Sequence, residues 1–161
     1  MIKNTVSEQP LDLHYQPTKL TLQLPSVSII SKIVQIPFID GNYPVEWLGE
    51  DVGMLEGSDL PGKGITVIVG HNHLDAEISG PFALLKDMQV GDTIFLTDSH
   101  NQISLYTVYA NEKIANDDAA ALEKIASAYN QSITLLTCED EGQDGIYTSR
   151  RVVSARLKEM D

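Results

Sequence analysis

Seven short stretches rich in β-branched residues, each closed by glycine, proline or small polar residues, limit what this chain can become more than any other feature. They lie at residues 27–37, 43–48, 65–69, 93–97, 103–109, 133–137 and 147–157, and short strands with frequent turns predict a sandwich or barrel rather than a helical bundle. Two helical patterns interrupt them. Pro81 at a first helical position, then Phe82, Leu84, Leu85 and Met88 before the Gly91-Asp92 turn, predicts a short helix. A longer helix is expected over 117–129, with Asn116 as N-cap, Asp117 and Asp118 in the first turn, and Leu122, Ile125, Ala126 and Tyr129 on one face.

Residues 1–24 are polar, punctuated by Pro10 and Pro17, and read as a partly flexible N-terminal arm in which little chemistry is expected. The rest, 25–161, is long enough for one domain and, at 42% apolar residues, needs no disulfide or metal to fold. Eleven Lys and Arg against 23 Asp and Glu leave a net charge of −12, a field that repels phosphate backbones, so nucleic acid is not an expected partner. No run reaches the roughly 20 apolar residues of a membrane span. Residues 1–10 lack the basic-then-apolar order of a signal peptide, and the chain as given is expected to be soluble.

Two constellations carry chemistry. His71-x-His73-x-Asp75 has the spacing of a two-histidine, one-carboxylate metal site. Such hydrolases continue with another histidine where this chain has Ala76, and four histidines in all cannot furnish a dinuclear centre. His73 and His100 read as surface residues. The second constellation is the single cysteine, Cys138, which closes the apolar run 132–137 and precedes Glu139, Asp140, Glu141 and Asp144. A buried strand cysteine is most often a small hydrophobe, but a strand end gives access. The carboxylates would raise the thiol pKa, so a nucleophilic role demands cationic help, for which His71 and Arg150 are the candidates.

These residues carry a family resemblance. Thr134-Leu135-Leu136-Thr137-Cys138 resembles the TLxTC strand of the sortases, the cysteine transpeptidases of Gram-positive cell surfaces. Val69-Gly70-His71 resembles their catalytic-histidine turn, residues 82–92 their connecting helix and Gly-Asp turn, and 150–157 their closing strand headed by an arginine. The resemblance spans roughly 27–157 and implies a closed, mainly β, sortase-type barrel of seven to eight strands with two or more short helices. Of the adjacent Arg150 and Arg151, alternation on a strand brings one to Cys138; aligning the closing strand selects Arg150 and leaves Arg151 a solvated residue.

The resemblance also implies a function. An LPxTG-like sorting signal on a surface protein or pilin would be cleaved through a thioester on Cys138, with His71 as acid and base, Arg150 stabilising the oxyanion and Thr137 contacting substrate. The acyl group would pass to an amine, from a cell-wall cross-bridge or a pilin lysine, without metal or cofactor. The site of action would be extracytoplasmic, with a membrane anchor lying outside the residues given. The 117–129 helix would form one wall of the peptide groove. Residues 52–58 with Leu60-Pro61 look most like the pilin-polymerising class, whose aromatic Asp-Pro lid is absent from 1–24, so subclass stays open. The alternatives are a non-catalytic β-barrel binding or pilus-assembly module with Cys138 buried, and a metallo-hydrolase using His71, His73 and Asp75.

Overall fold

The computed structural model describes residues 8–75, 77–141 and 147–159, apart from the side chains of 138–141 and 147. Eight strands close a barrel: β1 (Gln16–Leu24), β2 (Ile29–Ile36), β3 (Val52–Leu55), β4 (Ile65–Val69), β5 (Thr93–Thr97), β6 (Ile103–Ala115), β7 (Ser132–Glu141) and β8 (Tyr147–Leu157). Around the barrel they run β1-β2-β3-β4-β7-β8-β6-β5, with β5 returning to β1. Two neighbouring pairs, β2 with β3 and β4 with β7, are parallel. Among the described residues one α-helix, α1 (Ala119–Ala126), lies between β6 and β7, and two 3₁₀ turns occupy Pro25–Val27 and Leu85–Asp87. The mainly β closed barrel expected from the sequence is the architecture found.

Alternation builds the interior. Ile133, Leu135, Val153 and Ala155 from β7 and β8 meet Leu22, Leu24, Ile33, Met54, Ile68, Ile94, Leu96, Tyr106 and Val108 in one apolar cluster. Phe82, Leu85 and Met88, from the connection between β4 and β5, belong to the same cluster. Polar bonds secure that connection: the Asn111 side-chain amide donates to the carbonyls of Leu85 (3.0 Å) and Met88 (2.6 Å). Asn111 in turn accepts from Arg151 Nη1 at 3.2 Å. Arg151 is therefore half-buried and engaged, not the solvated residue expected.

Several local expectations are corrected. Residues 16–24, read as part of an arm, form β1, with Leu22 and Leu24 fully buried. Pro17 and a left-handed Lys19 (φ 62°) are absorbed by a register shift between Pro17 and Leu20, as at other irregularities of barrel strands. The strand expected at 43–48 is a turn-rich loop in which Pro44 supplies no N–H, Leu48 N donates to Val45 O and Asp51 N to Leu48 O. The strand that follows it, β3, is only four residues long. The helix expected from Pro81 tightens to the single 3₁₀ turn Leu85–Asp87. Asp118, not Asn116, caps α1, its carboxylate accepting from Ala121 N at 3.0 Å.

Candidate active site

The site is assembled where β4 ends and β7 does not. The parallel ladder between them runs from Ile65 opposite Ser132 to Val69 opposite Leu136, and Gly70 N adds a last bond to Leu136 O at 3.1 Å. There the chain turns away, setting His71 beside the continuation of β7. That strand persists through Glu141 because β8 still pairs with it, up to Glu141 opposite Tyr147. Cys138 thus lies inside β7, not at its end as the residue pattern suggested. Its register partner on β8 is Arg150. Of the acidic residues that follow it, Asp144 lies outside the described residues, as do the side chains of the other three.

The turn carrying His71 is clamped from below. Phe82 N donates to His71 O at 3.0 Å and Gly80 N to Asn72 O at 2.7 Å. Gly80 is required by proximity, since a Cβ there would stand 2.1 Å from the His71 carbonyl oxygen. Gly80→Ala is expected to lower stability by about 1–3 kcal/mol through overpacking. The check is a reduced urea midpoint at unchanged slope, accompanied by displaced His71 ring resonances.

His71, Arg150, Leu136 and Thr137 line one cleft of about 510 Å³. Its other wall is the β2–β3 loop, through Phe38, Tyr43, Val45 and Glu46. Phe38 and Tyr43 pack as a tilted ring pair with centroids 4.9 Å apart. The Tyr43 hydroxyl donates to Glu56 O (2.7 Å) and the Glu56 carboxylate accepts from Phe38 N (2.8 Å), so this wall is tied to the residue after β3. Within the cleft His71 Nε2 lies 2.8 Å from Val45 O, which only an Nε2–H can satisfy as donor. Arg150 Nε donates to Asn116 Oδ1 at 2.9 Å, and Asn116 N to Thr148 O at 3.1 Å. That bond fixes the guanidinium plane. Thr137 Oγ1 is buried without a hydrogen-bond partner among the described residues.

The sequence-derived set is therefore brought together in part: His71, Thr137 and Arg150 share a cleft, and Cys138 pairs through its backbone with Arg150. The metal-like set is not brought together. Asp75 accepts from Glu77 N and Ile78 N in its own turn, His73 is exposed, and no group of three His, Cys, Asp or Glu among the described residues is placed to hold an ion. His100 sits in the β5–β6 turn, its N–H on Asp98. Residues of α1 do not appear among those lining the cleft; the wall expected of that helix is supplied by the β2–β3 loop. Asn116 and the Val45 carbonyl escaped the sequence reading, for one looked like a helix cap and no side-chain pattern marks a backbone acceptor.

The sortase domain profile matches residues 22–158, and no curated protein sequence matches the chain. Among solved structures, a lid mutant of sortase A from Corynebacterium diphtheriae superposes with a TM-score of 0.70 at 25% identity, over 94% of this chain and 75% of that one. Sortase C-1 from Actinomyces oris gives 0.69 at 21%, over 90% and 76%. Sortase C from Clostridium perfringens, determined with the C-terminal cell wall sorting motif, gives 0.67 at 22%, over 93% and 75%. A profile spanning β2 to β8, on a barrel shared with these enzymes, establishes that the chain belongs to the sortase family of transpeptidases.

Proposed function

We propose that this protein cleaves an LPxTG-like C-terminal sorting signal and transfers the acyl fragment to an amine, with Cys138 as nucleophile, His71 as acid and base, and Arg150 as oxyanion donor. The observation that carries this reading is the register of β7 and β8: Cys138 pairs with the arginine that shares a cleft with His71. The Cys138 thiolate adds to the threonyl carbonyl, and the negative oxygen of the tetrahedral adduct accepts N–H groups of Arg150. Collapse breaks the C–N bond; the leaving amine takes a proton from His71, and a thioester remains. The acceptor amine then gives a proton to His71 as it attacks the thioester, forming the new C–N bond and releasing the thiolate. Because Nε2–H is committed to Val45 O, the proton passes through Nδ1.

The apolar part of the wall, Phe38, Tyr43 and Val45 with Leu136 opposite, suits the leucine and proline of such a signal, and Thr137 Oγ1 suits a peptide backbone donor or acceptor. The acceptors proposed are a peptidoglycan cross-bridge amine or a pilin lysine, which a chain of net charge −12 attracts in general. Sortases act at the cell surface, and that is the location proposed; no described helix is long and apolar enough to cross a membrane.

The test is to incubate the protein with a panel of sorting peptides and record intact mass. An adduct equal to the peptide acyl fragment, discharged by an added amine, is the expected result. Absence of an adduct across the panel, together with a thiol that labels slowly and is indifferent to peptide, would overturn the enzyme reading in favour of a binding module.

A further inference from the structure

Tyr15 immediately precedes β1, in the stretch where the sequence promised little chemistry. It is half-buried, and its hydroxyl donates to Pro44 O at 2.6 Å. Pro44 and Val45 are consecutive in the loop that walls the cleft, and the Val45 carbonyl accepts both His71 Nε2 (2.8 Å) and Leu48 N (3.3 Å). Burial raises the Tyr15 pKa above the ordinary phenol value, an effect that the Trp47 backbone opposes and the Glu46 carboxylate reinforces. The hydroxyl is thus a donor throughout the neutral range. Proline restricts its own φ, so a bond on the Pro44 carbonyl limits the tilt of the peptide plane next to the one that receives the imidazole. The bonds of Phe38 and Tyr43 to Glu56 tie this loop to the residue after β3, and neither falls on the Pro44 or Val45 carbonyl.

We infer that Tyr15 is a positioning residue for His71: its bond to Pro44 sets the Val45 carbonyl that holds the imidazole in the Nε2–H form. The segment ahead of the barrel thereby governs proton transfer in the cleft. The inference rests on the reading of His71 as the acid and base.

Tyr15→Phe removes the hydroxyl and keeps the ring. The expected result is a shift of the His71 imidazole ¹⁵N resonances away from a pure Nε2–H tautomer, and a fall in kcat for transfer from a sorting peptide of about three- to tenfold at unchanged KM. Thr18→Val serves as control. It removes a hydroxyl that donates to Ile33 O at 2.5 Å and accepts from Leu20 N at 3.1 Å, both in the neighbouring stretch, and is expected to leave the His71 resonances and kcat unchanged. A Tyr15→Phe protein with parental resonances and parental kcat overturns the inference, as does an equal loss in both variants. If the parent forms no acyl-enzyme, the functional reading fails separately, and the imidazole spectrum of Tyr15→Phe alone decides whether Tyr15 holds the His71 ring.

Discussion

Cys138→Ala is expected to abolish acyl-enzyme formation and to reduce peptide transfer by at least about 10³-fold, while leaving the barrel folded. The loss is large because no other side chain can form the thioester: the chain has one cysteine, and what survives removal of a nucleophile is only the contribution of binding and oxyanion stabilisation. The fold should persist because Cys138 takes part in the β7–β8 ladder through its backbone, which alanine retains. Intact mass after exposure to a sorting peptide reports the adduct, and circular dichroism reports the fold. A folded Cys138→Ala protein that still transfers peptide would dispose of the proposed mechanism.

Arg150→Ala is expected to lower kcat by about 10²- to 10³-fold, the usual cost of removing one oxyanion donor. Arg150→Lys should recover little, because an ammonium cannot reproduce the planar fork that donates Nε to Asn116 Oδ1 while presenting further N–H groups. The neighbouring arginine sharpens the test. Arg151 lies on the other face of β8 and donates to Asn111, the side chain fastening the Leu85–Asp87 turn. Arg151→Ala should therefore lower the melting temperature and leave kcat nearly intact. The reverse pattern, with Arg151 essential and Arg150 dispensable, would reassign the guanidinium. Steady-state kinetics at saturating peptide, paired with thermal unfolding, separates these outcomes.

Strand content was legible because it is local, in β-branched runs between turns, and short motifs likewise marked His71, Cys138 and Arg150 as candidates, of which His71 and Arg150 line one cleft and Cys138 is the register partner of Arg150. What the sequence concealed was long-range. Leu20-x-Leu22-x-Leu24 carries a two-residue period, but the prolines on either side argued for an arm; it took pairing with β2 and β5 to make that stretch a strand. β6 continues to Ala115, well past the expected end at 109, because β8 offers partners for Asn111 to Ala115 in spite of the polar sequence there. Asn116 has the chemistry of a cap and lies where a cap is plausible, yet Asp118 takes that place and leaves the amide to Arg150. Local propensity proposes such roles, and the partner available across the sheet decides between them.

The position of β8 between β6 and β7 bears on the order in which the barrel can be completed. Chains are made from the N-terminus onward, so Cys138 emerges before Arg150, and the last strand has to slot between two already present. Until it does, the barrel has an open seam and Cys138 has no register partner on β8. Closing the seam is therefore also the step that sets Arg150 opposite Cys138 in the ladder, so the register that carries the proposed function exists only in the finished barrel.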